Sequence, residues 1–154
     1  MKKTIKLSLE KARELYGKNT EMDQLLLANF REKELTKKDW RELKTFKDCL
    51  KSLDMEKTFN WQSPYETPDE FTYRQLKIIV KAINQDWVPD WKDRSQYKYF
   101  PWFEIDKAGC CCLAVDFSAS VVYVSAGSRL CFESSEKAKY AAEQFIDIYK
   151  QFFL

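Results

Sequence analysis

The chain has 154 residues, 45% of them hydrophobic and 32% charged, a composition that excludes a disordered chain and a membrane-embedded protein. The 26 Lys and Arg residues outnumber the 24 Asp and Glu residues by only two, which excludes a strong nonspecific affinity for polyanions. Histidine is absent, which excludes serine–histidine and cysteine–histidine nucleophiles, histidine zinc ligands and histidine pH sensors.

The cysteines and the N-terminus predict a cytoplasmic protein. Five cysteines, three of them consecutive at 110–112, do not form the pattern of a secreted disulfide framework. The basic N-terminus leads into an amphipathic stretch instead of an apolar signal core. The longest strongly apolar run, 110–115, is far too short to cross a bilayer, so we expect no membrane partner.

Residues 4–35 predict two short helices. Ser8 is placed to cap a helix over Leu9–Tyr16, where apolar residues share one face, and Gly17 is placed to end it. Thr20 is placed to cap the second helix.

Two longer helices follow. Thr36, with Asp39 three residues on, predicts a helix with an apolar stripe. The stripe consists of Trp40, Leu43, Phe46, Leu50 and Leu53. Thr67-Pro68-Asp69-Glu70 combines a capping Thr, a Pro in the first turn and a Glu at capping-box spacing, which predicts a helix to about Asn84.

Beyond Pro89 the hydrophobic period changes to that of strands. The predicted strands are 97–105, 110–117, 121–125 and 129–132. Ser134 or Ser135 then caps a final helix that runs to the C-terminus. Consecutive strands without intervening helices favour an antiparallel sheet. The predicted class is therefore α+β, with N-terminal helices and a small meander of three to four strands covered by the C-terminal helix.

The predicted organisation is a single domain over 1–154. Its N-terminal part, 1–60, is helical, and its remainder, 67–154, holds a helix, the antiparallel sheet and the C-terminal helix.

Segment 86–103 is the main candidate binding surface, because it combines three Trp, two Tyr and two Phe with several charges. Exposed rings beside cations are typical of surfaces that stack nucleic-acid bases, and large rigid rings are also typical of protein-binding hot spots. Alternatively, most of these rings belong to the core; we expect Trp87 to be core and Trp91 to be partly exposed. The candidate binding residues are Trp91, Arg94, Tyr97, Lys98, Tyr99 and Arg129.

The sequence gives weaker support to a metal site or a catalytic site than to a binding surface. A zinc site would need cysteines such as Cys49, Cys110, Cys112 and Cys131, but no CxxC spacing supports it, and small buried residues are the better interpretation. The carboxylates of Glu104 with Asp106, or of the aspartates at 86, 90 and 93, would suit a Mg²⁺-dependent enzyme. Neither set has a specific hydrolase spacing, so we predict no cofactor, no metal and no catalytic residue.

Two blocks are similar to known sequences. Residues 84–103 contain Asn84-Gln85-Asp86-Trp87-Val88-Pro89-Asp90-Trp91 followed by Gln96-Tyr97-Lys98-Tyr99, and residues 127–134 read Gly-Ser-Arg-Leu-Cys-Phe-Glu-Ser. Together with Leu7–Tyr16 they resemble small proteins encoded by phages and prophages of gut bacteria. The resemblance implies an origin and a bacterial host cytoplasm as compartment; it implies no activity and no functional residue.

Three functions remain in competition. The leading hypothesis is a non-catalytic accessory factor that binds a host or phage protein and is host-directed, counter-defence or virion-associated. The alternative is a protein that binds single-stranded nucleic acid through the aromatic and basic residues of 87–103. The third is a small carboxylate- and metal-dependent enzyme.

Overall fold

The computed structural model describes residues 7–36, 39–61, 63–105, 111–114 and 130–154. The chain divides into two compact units, one within residues 1–39 and the other within residues 40–154. The single domain over 1–154 stays a prediction.

The described residues of the first unit form three short helices. They are α1 (Leu9–Leu15), α2 (Thr20–Leu27) and α3 (Glu32–Leu35). The Ser8 side chain accepts a hydrogen bond from the Lys11 backbone N–H at the start of α1, and Gly17 follows the helix with a φ of +81°, as the sequence predicts. α2 begins at Thr20, but the side chain that caps it belongs to Asn19. The buried core of this unit consists of Ala12, Leu26 and Leu35.

The regular secondary structure described in the second unit is mostly helical. Its elements are a 3₁₀ turn (Trp40–Glu42), α4 (Phe46–Ser52), α5 (Pro68–Asn84), β1 (Trp102–Ile105), β2 (Cys111–Ala114), α6 (Ser135–Gln144) and α7 (Ile146–Phe153). The core joins residues of α4, α5, α6 and α7 in one cluster. None of the described helices combines the length and the apolar character that crossing a bilayer requires.

Helix α5 is the central element of the second unit, and its prediction is confirmed. The Thr67 side chain accepts from the Glu70 N–H while the Glu70 carboxylate accepts from the Thr67 N–H, so the predicted capping box forms. α4, α6 and α7 all pack against α5. From residue 75 to residue 84 only Lys77 and Lys81 are exposed.

Two predicted helices are each broken in the structure. The helix expected over 36–53 becomes the 3₁₀ turn and α4, because Thr45 and Asp48 form a capping box that starts a new helix. The C-terminal helix begins after Ser134, as predicted, but Phe145 has a φ of −114° and a ψ of 27°, which divides it into α6 and α7.

The predicted α+β class with a meander of three to four strands is wrong for the described chain. Its strand pairing is limited to the antiparallel ladder of β1 with β2 and a single bridge between Tyr99 and Phe132. Pro101 has no N–H to donate and interrupts the strand expected over 97–105. The strand expected over 121–125 lies outside the described residues, as do 110 and 115–117, half of the strand expected over 110–117. The C-terminal helices cover α5 instead of a broad sheet.

The Asn84 side chain occupies the edge of the Phe132 backbone that faces away from Tyr99. Its Nδ2 donates to the Cys131 carbonyl oxygen at 2.8 Å, and its Oδ1 accepts from the Glu133 N–H at 3.2 Å. In an antiparallel pairing these two backbone groups point away from Tyr99, toward the position of the next strand. A side chain at the end of α5 therefore occupies the edge where a further strand would have paired.

We expect Asn84→Ala to lower the free energy of unfolding by about 1–3 kcal/mol, because the buried Cys131 carbonyl and the part-buried Glu133 N–H lose their partner. Chemical denaturation measures this loss, and hydrogen exchange at the Glu133 amide should accelerate. Asn60→Ala, at an exposed position of the same unit, is the control and should change stability by less than about 0.5 kcal/mol. Equal effects of the two variants would contradict the role given to Asn84.

Candidate functional site

The chain reverses direction immediately after α5. Gln85 has a φ of +57° and a ψ of −112°, a conformation that residues other than glycine rarely adopt. The Gln85 N–H donates to the Lys81 carbonyl, and the Trp87 N–H donates to the Asn84 carbonyl at 3.1 Å. The turn therefore leads segment 87–91 back beside the last turns of the helix.

Helix α5 and this segment border a groove of about 690 Å³, which we call the α5 groove. It is lined by Lys77, Val80, Lys81, Asn84, Gln85, Trp87, Val88, Pro89, Trp91 and Cys131. Val80 and Cys131 are buried at its base, whereas Trp87 and Trp91 are half-buried and Val88 is 73% exposed. The volume lies within the range of sites that bind small molecules or peptide side chains.

The loop that follows the groove is held by its own carboxylates. Asp90 accepts a hydrogen bond from the Lys92 N–H at 2.8 Å, and the Gln96 side chain accepts one from the Asp90 N–H at 2.7 Å. Asp93 accepts from both the N–H and the hydroxyl of Ser95. The pKa of the Asp93 carboxyl is lowered, mainly by the hydrogen bond from the Ser95 side chain, so this carboxylate is ionised at neutral pH.

Lys98, a candidate binding residue, lies inside the protein with 1% of its surface exposed. Its ammonium donates to the Asp93 carbonyl oxygen at 2.9 Å and lies 5.6 Å from the centre of the Trp91 ring. A cation at this distance from an indole face is attracted by the ring. Lys98 therefore fixes the loop and supports Trp91, and its charge does not face the solvent.

The other candidate residues fall in different places. Trp91 lines the α5 groove, whereas Arg94 is exposed on the adjoining loop and is not part of the lining. Tyr97 is 54% exposed, with its ring centre 6.4 Å from that of Tyr99, which is half-buried. Arg129 lies outside the described residues. The structure thus brings one of the candidates, Trp91, into the groove.

Sequence reasoning missed most of the groove. Trp87, expected in the core, is half-buried. It lines the groove together with Val88 and Pro89, which the sequence did not single out. Lys77 and Lys81 form the opposite edge; their four-residue spacing on a helix with apolar neighbours was the available signal.

The cysteines and carboxylates weighed as metal or catalytic groups are not brought together among the described residues. Burial raises the pKa of the Cys131 thiol to about 11 and that of the Cys49 thiol to about 12, so both are inert thiols at neutral pH. Glu104 is exposed on β1, and Asp106 lies outside the described residues. In the described ranges no three His, Cys, Asp or Glu side chains converge on a position that would hold a metal ion.

No family model matches the chain, and no curated protein or solved structure is significantly similar to it. A function for this chain therefore has to be inferred from the chemistry of its own surfaces.

We expect Lys98→Ala to lower the free energy of unfolding by about 2–4 kcal/mol, because the lost stem leaves a cavity and the Asp93 carbonyl loses a charged donor. Urea unfolding followed by tryptophan fluorescence measures the change. Lys92→Ala removes an exposed lysine from the same loop and should cost less than about 0.5 kcal/mol. A Lys98→Ala variant as stable as Lys92→Ala would contradict the structural role.

Iodoacetamide at pH 8 should leave Cys49 and Cys131 unmodified in the folded protein and alkylate both in denaturant, as read by peptide mass spectrometry. The thiolate is the reactive form, and burial keeps both thiols protonated. Since their folded pKa values exceed the unfolded value of about 8.5, the unfolded state loses these protons first, and stability should fall as the pH rises above about 9. Native labelling of Cys131 at the denatured rate would contradict its burial.

Proposed function

We propose that the protein is a non-catalytic accessory factor that binds another protein through the α5 groove. The observation on which the proposal rests is the partly exposed wall formed by Trp87, Val88 and Trp91 beside the C-terminal half of α5, where eight of the ten residues from 75 to 84 are buried. Tryptophans dominate protein-binding hot spots because they bury a large area with few rotatable bonds. Here two half-buried tryptophans flank a valine that is 73% exposed, so a partner's apolar side chain would remove substantial apolar surface from water.

The chemistry of the lining supports binding over catalysis. Its ionisable side chains are those of Lys77, Lys81 and Cys131, and the pKa of the Cys131 thiol is raised by burial. A hydrolytic or group-transfer site would need a nucleophile or a general base near neutral pH. None of the lining residues is a carboxylate, which argues against the carboxylate-dependent enzyme at this place.

Binding of single-stranded nucleic acid is the less supported alternative. Of the cations expected to follow the phosphates, Lys92, Arg94 and Lys98, Lys98 is buried, and Asp86, Asp90 and Asp93 are exposed along the same segment. Carboxylates repel phosphates, and nucleic-acid binding depends on cations that neutralise them. The exposed Tyr97 and Arg94 are what would support this alternative.

The resemblance of segments 84–103 and 127–134 to phage and prophage proteins supports a phage-encoded factor. We propose that it acts in the cytoplasm of a bacterial host, on host machinery, against a defence system or as part of a virion.

The test is a pull-down from bacterial lysate, with and without nuclease treatment, using wild-type protein, Val88→Asp and a control, Tyr65→Asp. Val88 is exposed in the α5 groove, and Tyr65 is 97% exposed outside it, so neither variant should change the melting temperature. We expect wild type and Tyr65→Asp to retain the same stoichiometric protein, and Val88→Asp to lose it, because a carboxylate would be desolvated in the interface.

A partner that all three proteins retain equally would remove the α5 groove from the proposal. Bound material that disappears on nuclease treatment would favour the nucleic-acid alternative.

A further inference from the structure

Lys77 and Lys81 form a strip of positive charge on α5. They stand four residues apart, one helical turn, which places them about 6 Å apart along the axis. Both line the α5 groove, and they are the two exposed residues between 75 and 84. Like charges at this spacing destabilise a helix slightly, so their presence needs an explanation other than helix stability.

The described part of the chain offers these lysines no carboxylate. Neither takes part in an ion pair, and the Lys77 ammonium lies 5.0 Å from the centre of the Tyr73 ring. The preceding cation on the helix differs: Arg74 donates to both carboxylate oxygens of Glu66, at 3.0 and 2.8 Å. The two lysines at the groove thus remain available to an anionic group from outside.

Because the groove combines two lysines that form no ion pair with an apolar wall, and resting on the proposed function, we infer that the partner presents an acidic segment to the α5 groove. A large apolar side chain would enter between Val80 and the Trp87–Trp91 wall. Two carboxylates flanking it would face Lys77 and Lys81. The lysine spacing matches carboxylates four residues apart on a helix or two apart on an extended strand.

The charges of the opposite wall favour a peptide over a nucleic acid. Asp86 and Asp90 are exposed on the segment that forms that wall. A nucleic-acid strand has a phosphate at every nucleotide and would bring negative charge against these aspartates as well. A peptide places its carboxylates on one side only, which fits a groove with cations along one edge.

The experiment is an NMR titration of the ¹⁵N-labelled full chain with three synthetic peptides of twelve residues. Their central sequences are Glu-Leu-Glu-Phe-Glu, Gln-Leu-Gln-Phe-Gln and Lys-Leu-Lys-Phe-Lys, with identical Gly-Ser flanks, so the first offers both carboxylate spacings. The five tryptophans give five indole N–H signals. Those of Trp87 and Trp91 report on the groove, and that of Trp40, which packs on Tyr140, is the internal control.

We expect the Glu peptide to shift the Trp87 and Trp91 signals and to bind about five- to tenfold more tightly than the Gln peptide, with the Lys peptide weakest. The difference should shrink in high salt. The double variant Lys77→Glu/Lys81→Glu should reverse the order and prefer the Lys peptide. Lys57→Glu, an exposed lysine outside the groove, should keep the wild-type order.

Equal affinity of the Glu and Gln peptides would overturn the acidic partner while leaving the proposed function standing. An oligo(dT) strand that shifts the same indole signals more strongly than the Glu peptide would overturn it in favour of nucleic acid. Absence of any shift with all three peptides at millimolar concentration would also overturn it, and the pull-down with Val88→Asp then decides the proposed function separately.

Discussion

Burial of the C-terminal half of α5 on nearly all sides is the constraint on which the second unit depends. α4, α6 and α7 pack on it, and eight of the ten residues from 75 to 84 are buried. A helix that is apolar around most of its circumference is stable only when other elements enclose it. The two positions that escape enclosure, Lys77 and Lys81, therefore mark the strip of its C-terminal half that a ligand can reach, and the α5 groove follows that strip.

Asn84 connects the fold to the groove. It lies in the groove lining, and its side chain also holds the backbone on both sides of Phe132, whose own N–H and C=O pair with Tyr99. One amide thus ties the end of the central helix to a segment 47 residues later in the chain. The base of the groove therefore consists of buried residues of the core, while its outer wall belongs to an irregular segment.

Local signals predicted the parts of the fold that local interactions decide. The capping box of α5, the Ser8 cap and the start of α6 after Ser134 follow from a few adjacent residues. Alternation alone overpredicted the sheet, because nothing near 129–132 in sequence shows that a helix residue takes the place of a strand. Of the groove residues, the sequence predicted only Trp91 as a binding residue. A loop has no periodicity from which the burial of Lys98 could be predicted. Lysines on a helix surface are common, and Lys77 and Lys81 stand out only because the structure shows that the rest of that surface is covered.

The backbone at Gln85 bears on how the sequence can vary. With its φ of +57° the turn suits glycine best and asparagine or aspartate next, whereas a β-branched residue would not fit. The neighbouring Asn84 cannot change in the same way, because no other side chain offers a donor and an acceptor at the same reach. Homologous sequences should therefore keep an asparagine at the position of Asn84, whereas the next position should vary among glycine, asparagine and aspartate. This pair of positions would identify the turn and the groove beside it in homologues of low overall sequence identity.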